Sequence, residues 1–294
     1  MHELFTKYLD LATLTELSGL RLRSNRRFGG SASGEHHSFR MGQAIEFSQH
    51  RQYAPGDDLR YIDWKIYGRS DKFYLKQSED ETDLSCYVLL DCSESMSYAG
   101  NDSTPSKFTF AVQLAFGLAF ISLQQQDPVS LSLITDHLVQ YLPPSNASGS
   151  MARWEQGISG CELRDKTNLP IALAQFADAA TQPSLVVLIS DLLGPESELR
   201  DALPLLRRGN DAIVLHVMDR RERSFAFDGE LRIEGLENLG IADVNATQIQ
   251  KGYLKEVETF IQTQKQACWN LNFGFASVTT DQPLASELSS LFRR

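Results

Sequence analysis

Little in this chain of 294 residues invites covalent chemistry. Its four cysteines, Cys86, Cys92, Cys161 and Cys268, form no Cys-x-x-Cys pair, so no local dithiol spacing is present, and a reduced, cytoplasmic setting is expected. A Walker-type phosphate loop is absent, as are a Gly-x-Gly-x-x-Gly turn after a strand and a Gly-x-Ser-x-Gly elbow. The start, Met1-His2-Glu3-Leu4-Phe5-Thr6-Lys7, has no basic head leading into an apolar block, so no secretory signal is expected. The one membrane suspect, 108–126, contains no charge but is interrupted by Thr109, Gln113 and Ser122. Its unbroken apolar part, 114–121, is far short of the about 20 residues a bilayer takes. A central buried helix, and no membrane insertion, are expected there.

Positive charge is also scarce. The chain carries 28 Lys+Arg against 38 Asp+Glu, a net −10, which disfavours nucleic acid as a partner of the whole chain. The balance is uneven. Residues 1–77 hold 12 basic and 9 acidic groups, leaving 28 − 12 = 16 and 38 − 9 = 29 for the rest. Hydrophobic residues make up 42%, enough to bury a proper core, and the length suits one large α/β domain plus an accessory segment.

From residue 84 onward strand and helix patterns alternate. Residues 84–90 are a continuous apolar run, read as a strand buried on both faces. A helix is expected over 107–125, strands over 128–134 and 138–142, and helices over 151–159 and 169–180. A second fully apolar strand covers 184–189. A helix over 196–207, a strand over 212–217, a helix over 246–267, a strand over 271–278 and a closing helix over 284–292 complete the pattern. Such alternation predicts a doubly wound, mostly parallel sheet covered on both faces. Residues 80–294 are expected to form this α/β domain, and 1–79 an N-terminal accessory segment. Sites in such sheets form beyond the carboxyl ends of the strands, where strand order reverses.

The string Asp91-Cys92-Ser93-Glu94-Ser95-Met96 follows the first buried strand directly. A carboxylate and two alternating hydroxyls at a strand end are hard oxygen ligands, the kind Mg²⁺ takes in an octahedron that keeps some water. Two distant residues, Thr167 before a helix and Asp191 at a strand end, belong to loops expected on the same edge. The residues also admit plainer roles. Asp91 could cap a turn, Ser93 and Ser95 a helix, and Thr167 the helix that begins near 169.

The Asp-x-Ser-x-Ser string with a distant Thr and Asp resembles the metal-ion-dependent adhesion site of von Willebrand factor A-like domains. The resemblance implies that Ser93, Ser95 and Thr167 bind Mg²⁺ (or Mn²⁺) directly, with Asp91, Asp191 or both acting partly through water. It also implies that a carboxylate from a partner protein fills the open position.

A second signature lies within 42–69: Glu46-Phe47, Arg51-Gln52-Tyr53, then Gly56-Asp57-Asp58-Leu59-Arg60-Tyr61-Ile62-Asp63-Trp64. Its interleaved charges can build Arg–carboxylate pairs. This stretch is similar to the hallmark of the bacterial "domain of unknown function 58" proteins, which carry a von Willebrand A-like domain and are associated with MoxR-type AAA+ ATPases. Gly68 departs from the alanine usual in that family. The segment reads either as a structural belt or as a partner surface. The cluster Arg21, Arg23, Arg26 and Arg27 reads as a solvated face or as an acidic-partner contact.

No nucleophile with a partnered base is visible. A phosphatase of the haloacid dehalogenase type needs an Asp where Ser93 stands. The expected function is therefore non-enzymatic: a metal-dependent protein-binding module, serving a MoxR-type AAA+ ATPase and a client protein. A Mg²⁺-dependent phosphoester hydrolase is the alternative.

Overall fold

The computed structural model of the protein describes residues 2–22, 47–52, 63–70, 73–78, 85–100, 104–147, 149–164, 166–207, 209–227, 229–235 and 240–292. In chain order these form α1 (His2–Tyr8), α2 (Leu11–Leu17), β1 (Phe47–Gln52), α3 (Trp64–Ser70), β2 (Tyr74–Ser78) and β3 (Cys86–Asp91). Next come α4 (Lys107–Gln124), β4 (Val129–Ile134), β5 (Leu138–Ser145), α5 (Ser150–Ser159), α6 (Leu169–Ala179), β6 (Leu185–Ser190) and α7 (Glu196–Ala202). The chain closes with β7 (Asp211–Met218), α8 (Arg220–Ser224), β8 (Glu230–Gly235), β9 (Gly240–Asn245), α9 (Ala246–Trp269), β10 (Gly274–Thr279) and α10 (Leu284–Phe292).

Six strands make the central sheet, in the order β10-β7-β6-β3-β4-β5. All neighbours are parallel except the β4–β5 pair. The chain winds outward from β3 to one edge, then returns to β6 and winds to the other. The reversal therefore falls between β3 and β6, whose registers pair Cys86 with Leu185 and Leu90 with Ile189. A crevice opens at the carboxyl ends of these two strands.

β3 is buried along its whole length because each face meets helices. Cys86, Val88 and Leu90 join one core layer with α4, α5 and α10. Tyr87 and Leu89 join the other, with α6, α7 and α9. α4 is long and apolar enough to cross a membrane by length and composition, yet Phe110, Leu114, Phe116, Leu118 and Ile121 are all buried within the first layer. It is the central helix of the domain, as its polar interruptions predict.

Compactness divides the chain differently from a single boundary near residue 80. Residues 1–27 and 84–294 form one compact unit and 28–83 another. The reason is apolar burial by the first helices. Phe5 lies edge-on to Phe116 and Phe120 at 6.1 and 5.3 Å, and Tyr8 stacks on Phe116 at 4.1 Å. Leu17 is fully buried, and Gly117 leaves room on α4 for Leu17, Leu284 and Leu288. Each such leucine contributes about 1.5–3 kcal/mol.

The second unit pairs β1 antiparallel with β2, and the Asp63 carboxylate caps α3 by accepting the Ile66 N–H at 3.2 Å. Tyr67 stacks on Phe73 at 4.5 Å. Most of the second signature, including Glu46, Asp57, Asp58 and Arg60, lies outside the described residues, as do Arg23, Arg26 and Arg27.

Two further expectations change. The helix expected over 196–207 ends at Ala202 and tightens into a 3₁₀ turn over Leu203–Arg207. Pro204 removes the backbone donor that would continue the α-helix. The antiparallel β8–β9 hairpin was not expected, because Leu231 and Ile233 are too few alternating apolar positions to stand out from a loop.

Candidate metal centre

Three loops meet at the β3–β6 crevice. The Cys92 N–H donates to the Ile134 carbonyl at 2.8 Å, continuing the ladder one residue past β3. The Arg164 N–H donates to the Cys92 carbonyl at 3.3 Å, and the Asn168 N–H to the Thr135 carbonyl at 3.1 Å. These bonds stitch the segment carrying Thr167 to the ends of β3 and β4.

Asp91 sits fully buried at the centre. Its Oδ1 accepts the Ser93 N–H at 2.9 Å, and Thr167 Oγ1 donates across both oxygens at 3.2 and 3.1 Å. Ser190 Oγ donates to Oδ2 at 2.6 Å. The Ser93 hydroxyl also bonds Asp91 and lies 3.1 Å from the Ser95 hydroxyl. Among the described residues every donor to this carboxylate is neutral. Burial, and after it the charge of Asp191, push the Asp91 carboxyl up to about 6, against the lowering effect of its hydroxyl and N–H donors.

Asp91 does cap its own turn, through the Ser93 N–H, but the helix-capping roles go elsewhere. α6 is capped by Asn168, whose side chain accepts the Ile171 N–H, so the Thr167 hydroxyl is not used there. Ser93 stands at the start of the 3₁₀ turn Glu94–Ser97 without making a side-chain cap bond.

Asp191 reaches the same edge but faces a different neighbour. Its Oδ2 lies 2.7 Å from Lys107 Nζ, while Oδ1 accepts the Leu193 N–H at 3.2 Å. Lys107 opens α4, is 1% exposed, and also meets Glu222 Oε1 at 3.0 Å. Burial alone would lower the lysine, but Asp191 and Glu222 outweigh it and hold the ammonium above its ordinary value. Beneath the pair, His216 hydrogen-bonds the Asp191 backbone and lies 3.3 Å from Ser277 Oγ. Burial drives its imidazole down to about 4, so it is neutral at physiological pH.

The Asp91, Ser93, Ser95 and Thr167 oxygens suit a small hard cation. Ligand oxygens at 2.0–2.1 Å around an octahedral Mg²⁺ lie about 2.9 Å from one another along an edge. The observed spacings are 3.1 Å between the serines and 3.1–3.2 Å between Thr167 and Asp91. Among the described residues no group of three or more His, Cys, Asp or Glu is set to hold a metal, so carboxylate-rich and zinc-type centres find no match there.

The sheet order, the antiparallel edge strand and a hydroxyl-rich site at the switch point define a von Willebrand factor A-like α/β domain. Residues 49–261 match the family described as "Protein of unknown function DUF58", and the chain belongs to that family. An uncharacterized protein of Mycobacterium tuberculosis and one of Mycobacterium bovis are each 23% identical over 233 residues, covering 76% of this chain and 70% of theirs. Among solved structures, the conserved hypothetical protein BatB from Bacteroides thetaiotaomicron is 14% identical with a TM-score of 0.44, over 72% of this chain and 100% of that one. The SpRpn10 VWA domain is 16% identical with a TM-score of 0.41, over 70% and 93%.

Four site residues escaped the sequence reading. Ser190 was seen only as the end of a strand. Lys107 is the lone charge at the head of an otherwise uncharged helix, a signal available but not used. Glu222 belongs to a capping box with Asp219, readable as Asp-x-x-Glu. His216 carried no sequence signal, since nothing local tells a buried strand histidine from an exposed one.

Proposed function

We propose that this chain is a non-enzymatic protein-binding module whose binding depends on a divalent cation, Mg²⁺ or Mn²⁺. Asp91, Ser93, Ser95 and Thr167 would hold the ion, with Asp191 acting from the second layer. The bound ion supplies a positive centre that attracts a carboxylate of a partner protein. One observation carries the reading: a fully buried Asp91 carboxylate surrounded, among the described residues, only by neutral donors, at oxygen spacings that suit an octahedral ion. A buried carboxylate without a counter-charge is costly, and a cation removes that cost. A cavity of about 390 Å³, walled in part by Tyr253, Val257 and Phe260, lies on the Lys107 side of Asp191 and is not lined by Asp91, Ser93, Ser95 or Thr167.

The partner we propose is a MoxR-type AAA+ ATPase, with a client protein that this chain selects or presents. Support comes from the resemblance of the 42–69 signature to proteins associated with such ATPases. A cytoplasmic setting belongs to the same reading, supported by four free thiols. Nothing in the family match or in the geometry around Asp91 favours the phosphoester hydrolase.

The test is calorimetry followed by capture. Mg²⁺ or Mn²⁺ is expected to bind wild type and not Asp91→Ala. A MoxR-type ATPase is expected to co-purify in Mg²⁺ and to be lost with chelator. Equal heats for wild type and Asp91→Ala, or capture indifferent to chelator, overturn the reading.

A further inference from the structure

We infer that Lys107 is an internal counter-charge that cancels one of the two carboxylate charges of Asp191 and Glu222 and thereby sets how much negative charge a docking protein must bring to the cation. This rests on the cation-dependent reading above and adds to it a residue and a charge rule.

The ammonium is held from several sides. Asp191 Oδ2 and Glu222 Oε1 accept from it at 2.7 and 3.0 Å, and the Tyr98 ring lies 5.7 Å away. Glu222 is fixed in turn, because its Oε2 accepts the Asp219 N–H at 2.9 Å within a capping box. Asp219 is fixed by the N–H groups of Gly100 and Arg221 and the hydroxyl of Thr280. An ammonium anchored this way is an architectural charge, since charge-assisted bonds to two buried or half-buried carboxylates fix its position.

The charge count follows. Asp91 brings −1 to the cation and, among the described residues, has only neutral donors. Asp191 and Glu222 each bring −1, and Lys107, at contact distance from both, cancels one of the two. The ion beside Asp91 therefore meets one negative charge fewer than it would without the ammonium. It also feels repulsion from an ammonium only one carboxylate away, in surroundings where charges are poorly screened. A carboxylate from a partner offsets both. Binding of ion and partner must then be mutually reinforcing, because coupling between two ligands is reciprocal.

Mn²⁺ binding to the full chain, followed by the resonance of the free ion, tests this with four proteins. Lys107→Met removes the ammonium and is expected to tighten Mn²⁺ by roughly tenfold or more. The double variant Lys107→Met/Glu222→Gln restores the wild-type charge sum around the site while leaving Asp191 in place, so its affinity is expected within about threefold of wild type. Circular dichroism checks each fold, and the double variant keeps the test open should the single variant not fold. Unchanged affinity in a folded Lys107→Met, or a double variant that no longer binds, overturns the inference. Wild-type binding abolished by Asp91→Asn yet unmoved by Lys107→Met sinks the Lys107 role alone. Absence of Mn²⁺ binding in every protein, Lys107→Met included, removes the cation reading and this inference together.

Discussion

The Thr167 hydroxyl donates to both oxygens of Asp91, at 3.2 and 3.1 Å, across 76 positions of sequence. That contact ties the entrance of α6 to the end of β3. It is available because Asn168, not Thr167, caps the helix. Thr167→Val keeps the shape and deletes the donor. A lost hydrogen bond to a charged group is worth about 1.5–3 kcal/mol. We expect a stability loss of that order without cation, read by urea unfolding, and at least about tenfold weaker Mn²⁺ binding, read by calorimetry, from loss of a ligand oxygen. Unchanged Mn²⁺ affinity would remove Thr167 from the centre.

His216 makes stability depend on pH. Its folded value, about 4, lies below the ordinary 6.5, because burial favours the neutral ring. The contribution is thus complete above pH 6.5 and drains away as pH falls towards 4, to about 3 kcal/mol in all. Asp91 acts oppositely: a raised carboxyl lends stability at low pH that is lost as pH rises through about 6. Urea unfolding of wild type and His216→Gln from pH 4 to 8 separates the two. The stability difference between them is expected to change by about 3 kcal/mol over that range. A constant difference refutes the assignment.

Cys92 and Cys161 influence each other beside the Asp91 loop, which draws the Cys161 thiol down and, with burial, pushes the Cys92 thiol up. Cys161 is half-buried and Cys92 fully buried. Reactivity follows thiolate fraction and access. Iodoacetamide at neutral pH is expected to modify Cys161 first and to reach Cys92 only on unfolding, as peptide mass spectrometry would show. Early labelling of Cys92 contradicts the packing of this loop.

Gly100 stands where its N–H meets Asp219 Oδ2 at 3.1 Å, and a methyl group there would collide with the Asp219 carboxylate. Gly100→Ala must push that carboxylate away from the cap of α8. We expect a loss of about 1–3 kcal/mol, seen as a lower melting temperature. A neutral substitution would mean that the Asp219 network is not rigid, which would also weaken the anchoring of Lys107 through Glu222.

Much of the fold was legible because burial leaves one-dimensional marks. β3 and β6 must be apolar on both faces, so they read as continuous runs, and the core helix α4 reads as a charge-free stretch. Trp154 and Ile158, spaced for one face of α5, are both buried. The start of the chain was not legible in this way. The apolar stripe of α1 and α2 says that these helices pack on something, but not that α4 and α10 are the surface that receives them.

The sequence alone determined the alternation of strand and helix and the switch-point architecture, and offered five oxygen-bearing residues as candidates, since each depends on local pattern and spacing. Only the tertiary structure decided how those five divide. Asp91 is left among neutral donors, while Asp191 is claimed by a lysine 84 positions away. Charge compensation is a matter of distance in space, and the order of residues along a chain does not encode which buried carboxylate an ammonium will reach.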